Sequence, residues 1–348
     1  MEKPIRTAEI EHCLACGTRG EPVYEFMHDV LFDAPGVWRS IKCPNDGLIW
    51  LSPRPLVEDL WRVYETYYTH SDQDVPRTLL RAVKAHCERV LLQREFGYGT
   101  QGIGQSPART GRAVKLIPMA SEMAGSSVMW LRALPDGKLL DVGCGTGGFL
   151  QRMQTLGWKV AGVEPDEKAA ALARERLGVL VTSGTIESAR YERDAFDAVT
   201  AHHVIEHVHD PIEFLLEAYR ILKPGGRLVV TTPNVQSMGH RVFTRDWRGL
   251  EVPRHLHLFS TATLRSCAEK AGYEIEVLRT SARSAWEIWC ASRLIRRDGR
   301  IPGGFPRPLA RRLLLEGLLV QCLQHAMLLV DARMGEALVF VGRKRIAG

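Results

Sequence analysis

The chain has 348 residues, 45% hydrophobic and 25% charged, with a formal net charge of +6. These values are ordinary for a soluble globular protein of one large domain with an attachment or of two domains, and they permit an anionic partner without requiring one. No stretch approaches the roughly 20 apolar residues of a membrane span, and the N-terminus lacks the apolar run of a signal peptide, so we expect a cytoplasmic protein with reduced cysteines.

Residues 1–56 carry three cysteines in two segments that end in glycine, "CLACG" (13–17) and "KCPNDG" (42–47). Cys13 and Cys16 have C-x-x-C spacing, and Cys43 begins a second knuckle whose last position is Asp46 instead of cysteine. Zinc also accepts carboxylate oxygen, so this pattern predicts a zinc-ribbon-like module with a structural zinc on these four residues. The alternative is a ribbon that has lost its metal, with the cysteines acting as small buried hydrophobic residues.

Residues 57–137 are predicted to form a helical linker and cap region. Helical patterns extend over 57–95, with aromatic residues in "LWRVYETYY" and a basic amphipathic run in "RTLLRAVKAHCERVLLQRE". The segment "GYGTQGIGQSPARTGR" (97–112) is rich in Gly, Ser and Pro, which is typical of a mobile loop.

From residue 138 to residue 348, short apolar runs alternate with helical ones, which predicts an α/β domain. We expect a doubly wound, mostly parallel sheet of seven strands, with a helical insertion (281–334) before the last strand. Asp210 followed by Pro211 is predicted to begin a helix as N-cap and first residue. The "KPGG" at 223–226 is predicted to end that helix.

The segment "LLDVGCGTGGFL" (139–150) places a strand, a glycine-rich loop and a helix start in succession. Its glycines fit G-x-G-x-x-G, so a dinucleotide site has to be considered. Asp141, however, lies where dinucleotide folds usually have an apolar residue, and a carboxylate there attracts a cationic group. Glu164 ends the next strand and suits hydrogen bonds to ribose hydroxyls.

The segments "LLDVGCGTGG", "VAGVEPD", "FDAVTAHHVIEHVHDP" and "LKPGGRLVVTTPN" resemble, in order and spacing, the motifs of class I S-adenosylmethionine-dependent methyltransferases. The resemblance is to small-molecule O-methyltransferases of the ubiquinone-biosynthesis type and covers roughly 138–280. It implies a Rossmann-like fold in which S-adenosylmethionine contacts Asp141, Gly143, Cys144, Gly145, Glu164, Pro165, Thr185, Ile186 and His202. The family often has an acid where this chain has Thr185. The N-terminal cysteines resemble the zinc ribbon that precedes the catalytic domain in some methyltransferases.

The segment "AHHVIEHVHD" (201–210) contains H-x-x-E-H, a spacing known from zinc peptidases. Its place between the fourth strand and the next helix argues against that interpretation, since a peptidase needs the motif within a long helix. His207 or His203 would then accept the proton of a substrate hydroxyl. The alternative is that Glu206 and His207 only order the loop.

The segment "DWRGLEVPRHLHLFS" (246–260) follows the fifth strand, and the resemblance makes it part of the substrate pocket. Candidate substrate contacts are Trp247, as an aromatic wall, and Arg254, His255 and His257, toward an anionic or hydroxylated molecule. The alternative is structural, with Ser260 capping the next helix above buried Leu256 and Leu258.

Seven arginines lie in 292–312, ahead of an apolar helical run at 313–330. Residues 292–330 would make peripheral contact with an anionic membrane and give access to a lipid-linked acceptor. The alternative is a helix packed on the core, on the N-terminal helices or on a second subunit in a homodimer.

Together these features predict methylation of a small-molecule, glycan-precursor or lipid-linked acceptor, with oxygen favoured as the methylated atom. Methylation of RNA is the alternative within the class. A nucleic acid substrate is disfavoured for two reasons. The fourth strand is followed by "AHHVIE" instead of the Asn/Asp-Pro-Pro-aromatic motif of enzymes that methylate amino groups of bases. The arginines also lack interleaved aromatic residues for stacking on bases. An NAD(P)-dependent oxidoreductase and a non-catalytic zinc-ribbon interaction protein are the alternatives from other classes.

Overall fold

The computed structural model describes residues 4–64, 79–99, 118–301 and 311–346. Of the loop predicted at 97–112, residues 100–112 lie outside these ranges. Thirteen strands are present in the described part: β1 Thr7–Ala8, β2 Glu21–Met27, β3 Trp38–Lys42, β4 Ile49–Leu51, β5 Arg54–Pro55, β6 Lys138–Val142, β7 Lys159–Glu164, β8 Val181–Ser183, β9 Phe196–His202, β10 Leu222–Pro233, β11 His257–Leu258, β12 Glu274–Ser281 and β13 Ala337–Arg343.

The α-helices of the described residues are α1 Leu79–Phe96, α2 Pro118–Ser127, α3 Gly148–Thr155, α4 Glu167–Leu177, α5 Pro211–Ile221, α6 Met238–Phe243, α7 Thr261–Lys270, α8 Ala285–Asp298 and α9 Arg311–Met327. Short 3-10 helices cover Val57–Tyr64, Thr244–Asp246 and Arg248–Leu250. None of the helices in these ranges is long and apolar enough to cross a membrane.

The main sheet has seven strands in the order β12-β13-β10-β9-β6-β7-β8. β6 pairs in parallel with β7 and with β9, and β7 pairs in parallel with β8. The register places Asp141 beside Gly162 on one side and beside Thr200 on the other. The predicted doubly wound, Rossmann-like sheet is therefore confirmed, and the carboxyl ends of its central strands share one edge, where ligands of such sheets bind.

Local sequence signals begin the helices that flank this sheet. The Asp166 side chain accepts hydrogen bonds from backbone N–H groups at the start of α4. Asp210 does the same for Ile212 and Glu213 at 2.9 and 3.0 Å, as its position before Pro211 predicts. The "KPGG" prediction is only partly right, because α5 already ends at Ile221 and these residues form the start of β10.

The described residues fall into two compact units. One takes its residues from 68–202, 217–229 and 342–348, and it includes β6 to β9. The other takes its residues from 1–67, 203–216 and 230–341. The candidate cofactor residues from 141 to 202 belong to the first unit, and the histidines from 203 onward belong to the second.

The second unit contains an antiparallel sheet in the order β11-β4-β3-β2. In it the N-terminal strand β4 pairs with β11, with Trp50 opposite His257 and Ile49 opposite Leu258. Its core consists of apolar side chains from both parts of the sequence, among them Met27, Trp38, Leu51, Phe243, Trp247 and Leu256. Strands β2 to β4 and the segment 246–260 thus share one hydrophobic core.

Candidate active site

The glycine-rich loop after β6 is shaped by left-handed backbone conformations. Gly143 and Gly145 have φ of +70° and +52°, which side chains with a Cβ rarely adopt. The Gly145 N–H donates to Glu164 Oε2 at 2.9 Å. A Cβ added at Gly145 would meet no described atom within 4 Å, so the loop leaves open space above its backbone.

Asp141 is buried at the carboxyl end of β6, and its Oδ1 accepts a hydrogen bond of 2.7 Å from the Thr200 hydroxyl. Burial, with a smaller contribution from the nearby Glu164 charge, raises the pKa of Asp141 to about 7 against the lowering effect of the Thr200 hydrogen bond. A cationic group beside this carboxyl would stabilise its charged form. The sulfonium or amino group of S-adenosylmethionine meets that requirement.

Glu164 ends β7 beside Asp141. Its Oε1 accepts from the Asp166 N–H at 3.0 Å and its Oε2 from the Gly145 N–H, so the carboxylate is held in place by backbone on both sides. Each carboxylate oxygen has a second lone pair that can accept from a ribose hydroxyl. The residues present therefore fit the cofactor that the sequence predicts.

The other predicted cofactor residues are divided between buried and exposed positions. Cys144 and Ile186 are buried, whereas Pro165, Thr185 and His202 are exposed. Thr185 exchanges hydrogen bonds with Ser188 across a short turn. Contacts of these residues with adenine or ribose stay a prediction.

His203 follows β9 directly and has a left-handed φ of +55°. Its Nδ1 lies 2.8 Å from Glu206 Oε1, and the Glu206 side chain is fully buried while that of His203 is 40% exposed. Although burial raises the pKa of Glu206, the His203 hydrogen bond and nearby histidines lower it to about 2. An ionised carboxylate on Nδ1 fixes the tautomer in which Nε2 is the proton-accepting nitrogen.

His207 lies on the turn after His203 and has two hydrogen-bond partners on Nδ1. These are the Arg254 carbonyl oxygen and the Tyr64 hydroxyl, both at 3.0 Å. A carbonyl oxygen only accepts, so Nδ1 carries the proton and Nε2 presents a lone pair. The ring of His255 lies 4.8 Å from that of His207 between centroids.

Arg254, predicted as a substrate contact, is completely buried in an ion pair. Its guanidinium donates to both carboxylate oxygens of Asp29 at 2.7 and 2.8 Å and to the Val63 carbonyl oxygen at 3.1 Å. Glu251 Oε1 lies 3.3 Å from Arg254 Nε. These contacts give Arg254 a structural role in joining the N-terminal segment to 246–260.

The remaining substrate candidates are also buried. Trp247 donates to Glu336 Oε2 at 3.2 Å, and His255 has its Nδ1 2.8 Å from the Gly249 carbonyl oxygen. Burial lowers the pKa of His255 to about 4 and that of His257 to about 3, so both rings are neutral at neutral pH. Ser260 caps α7 through a capping box with Thr263, as the structural alternative expects.

Residues 122–278 match a family model described as a methyltransferase domain (Methyltransf_23). This segment contains the glycine-rich loop, both acids and β9. The match identifies residues 122–278 as a methyltransferase domain. The predicted motifs of residues 138–280 are confirmed at this level.

Three curated proteins are similar to part of this chain. The rat mitochondrial ubiquinone biosynthesis O-methyltransferase is 32% identical over 158 residues, covering 40% of this chain and 45% of the relative. An uncharacterised 37.1 kDa protein of transposon TN4556 from Streptomyces fradiae is 35% identical over 131 residues, or 36% of each chain. A probable S-adenosylmethionine-dependent methyltransferase of Mycolicibacterium smegmatis is 31% identical over 140 residues, covering 40% of this chain and 52% of the relative. The chain thus spans about a third to a half of these relatives.

Outside the methyltransferase domain, the structure brings the four predicted metal ligands together. The sulfur and carboxylate atoms of Cys13, Cys16, Cys43 and Asp46 all lie within 4.8 Å of one another. Both loops turn alike, since the Gly17 N–H donates to the Cys13 carbonyl oxygen at 2.8 Å and the Gly47 N–H to that of Cys43 at 3.1 Å. The donor set and the two turns fit a zinc ion.

Five residues that contribute to these sites are absent from the sequence-based predictions: Asp29, Tyr64, Thr200, Glu251 and Glu336. Thr200 carries a usable signal, because it is a polar residue within the otherwise apolar end of "FDAVTA". Glu251 lies within the segment 246–260 and is marked only by its contacts with Arg248, Arg254 and His255. The other three are marked only by contacts with residues distant in sequence.

Proposed function

We propose that the protein transfers a methyl group from S-adenosylmethionine to an oxygen atom of a small-molecule or lipid-linked acceptor. The observation that carries the proposal is the pair of buried acids, Asp141 and Glu164, beside an open glycine-rich loop. Bound S-adenosylmethionine would supply an electrophilic methyl group on its sulfonium. Asp141 would then balance the cofactor's positive charge, and Glu164 would accept hydrogen bonds from its ribose.

We assign the proton-accepting role to His203 rather than to His207. The Glu206 carboxylate holds His203 Nδ1, so that Nε2 receives the proton of the acceptor hydroxyl. General-base assistance of this kind contributes roughly 10²–10⁴ in rate. An oxygen acceptor is supported by the names of the O-methyltransferase relatives and by this carboxylate–histidine pair.

Calorimetry with S-adenosylmethionine and with NAD tests the cofactor. We expect binding of S-adenosylmethionine alone and at least tenfold weaker binding by Glu164→Ala and Asp141→Asn. Glu175→Gln, which changes an exposed acid on α4, is the matched control. Binding of NAD, or unchanged binding by both acid variants, would refute the cofactor assignment.

Turnover tests the base. S-adenosylhomocysteine release with catechol acceptors, with and without an isoprenoid tail, should fall at least 100-fold in His203→Ala while S-adenosylmethionine affinity is kept. Raising the pH should partly restore the rate, because hydroxide removes the acceptor proton instead. If His203→Ala keeps the wild-type kcat across the pH range, His203 is not the general base.

A lipid-linked acceptor is supported by α9. Its residues Leu315, Leu319 and Leu323 are 62%, 72% and 53% exposed and share one helical face. Exposed arginines at 297, 300 and 312 supply positive charge near the helix in sequence. Such a combination suits peripheral contact with an anionic membrane.

Co-sedimentation with anionic and with neutral vesicles tests this contact. Leu319→Glu should abolish sedimentation with anionic vesicles, whereas Leu172→Glu, at an exposed leucine of α4, should not. Wild-type protein that ignores both vesicles but forms a dimer sensitive to Leu319→Glu would assign the face to a second copy.

We propose a structural zinc at Cys13, Cys16, Cys43 and Asp46. Four ligands of this type close a tetrahedral site without an open position. Metal analysis should find this zinc in the wild type and in Cys87→Ser, and lose it in Cys43→Ser. Equal zinc in all three proteins would show that the cysteines do not hold it.

A further inference from the structure

We propose a second metal site, for a divalent transition-metal ion, formed by Glu206, His207 and His255. One potential ligand atom from each residue lies within 4.8 Å of the others. All three belong to the same compact unit, and none is a ligand of the cysteine site.

The two histidines are oriented as metal ligands. His207 Nδ1 donates to the Arg254 carbonyl oxygen at 3.0 Å, and His255 Nδ1 donates to the Gly249 carbonyl oxygen at 2.8 Å. Both bonds leave the lone pair on Nε2. A ligating histidine almost always donates its other ring N–H in this way, which fixes both the tautomer and the ring direction.

Glu206 supplies the anionic ligand. Its side chain is fully buried, Oε1 is held by His203, and Oε2 has no hydrogen-bond partner among the described residues. A buried carboxylate oxygen without a partner is costly, and it points to a group that the protein chain does not itself provide. A cation bound by Glu206 together with the two imidazoles would satisfy it.

A second carboxylate lies beside the cluster. Glu251 Oε2 is 3.5 Å from His255 Nε2 and is also paired with Arg248. Two imidazoles and a carboxylate suit zinc, iron, cobalt or nickel better than calcium or magnesium. With three protein ligands the ion would keep a position for water or another oxygen ligand.

This site differs from the one that H-x-x-E-H spacing suggests. A zinc peptidase uses both histidines of the motif on one helix, but here residues 205–207 form a turn. His203 Nδ1 is directed to Glu206, and the second histidine ligand comes instead from position 255. The motif therefore contributes Glu206 and His207 only.

Metal content and thermal unfolding of the full chain test the site. After removal of metal and incubation with CoCl2, the wild type and the exposed-residue control His86→Gln should hold one more equivalent of cobalt than His255→Gln and Glu206→Gln. CoCl2 should raise Tm in the wild type more than in either variant. The extra cobalt should absorb without the sulfur charge-transfer band of a thiolate site.

Each outcome decides the proposal. Equal cobalt and equal Tm shifts in the wild type, Glu206→Gln and His255→Gln would overturn it, as would cobalt lost only in Cys43→Ser. If one variant fails to fold, His207→Gln replaces it. Metal binding is measured without cofactor or turnover, so this inference and the methyl-transfer proposal can fail separately.

Discussion

The buried ion pair between Asp29 and Arg254 gives the sharpest stability prediction. Their side chains are 1% and 0% exposed, and both carboxylate oxygens accept from the guanidinium. Asp29→Asn removes the charge but keeps an oxygen for the backbone N–H groups of the following turn. Loss of one partner from a buried pair costs about 3–5 kcal/mol. We expect about 3 kcal/mol, the lower end, because Glu251 stays near Arg254.

Urea unfolding followed by circular dichroism measures this loss. Asp33→Asn changes an exposed acid of the same turn and should alter the free energy of unfolding by no more than about 0.5 kcal/mol. The double variant Asp29→Asn with Arg254→Met should be more stable than Asp29→Asn, since it leaves no unpaired buried charge and keeps an oxygen for the same N–H groups. An Asp29→Asn protein within 1 kcal/mol of wild type, or a less stable double variant, would refute this reasoning.

Three further predictions concern pH, the cofactor loop and the cysteine site. Burial raises the pKa of Asp29, but the Arg254 ion pair and backbone donors outweigh it and lower that pKa in the folded protein. The stability that Asp29 contributes is therefore present above its unfolded pKa of about 3.9 and is lost as the pH falls toward the lower folded pKa. Urea unfolding from pH 7 to pH 3 should show this loss in wild type and a smaller loss in Asp29→Asn. Gly162→Ala should lower the free energy of unfolding by about 1–3 kcal/mol and weaken S-adenosylmethionine binding, because the new Cβ would lie 2.6 Å from Cys144 Sγ. The control Gly148→Ala, whose Cβ would meet no described atom within 4 Å, should show neither effect. Urea unfolding and calorimetry measure the two effects. Treatment with a strong chelator should lower Tm more in wild type than in Cys43→Ser, because only the wild type can lose a metal from the cysteine site; equal Tm changes would contradict this.

The sequence predicts the central sheet, and the closeness of the glycine-rich loop to two acids, because these signals are local. Asp141 and the glycines lie within a few residues of one another, and parallel strand geometry brings Glu164 beside them. The N-caps at Asp210 and Ser260 were predictable for the same reason.

The histidine cluster and the Arg254 ion pair were not predictable from spacing. Asp29 and Arg254 are 225 positions apart, and His207 is bonded to Arg254 across 47 positions. Single-sequence patterns report periodicity within one element and carry no information about which distant loop supplies a partner. From the sequence alone, Arg254 is therefore predicted to bind an anionic ligand. Only the structure shows that its partner is the buried carboxylate of Asp29.

The pairing of β4 with β11 has a consequence for synthesis on the ribosome. The edge of β4 is completed only when residues 257–258 have been made, after about 200 more residues. At roughly 5–20 residues per second this is a delay of about 10–40 s. During that time an apolar strand has an open edge that a neighbouring nascent chain can pair with. Early metal capture by the cysteines would hold the two flanking turns together over this interval.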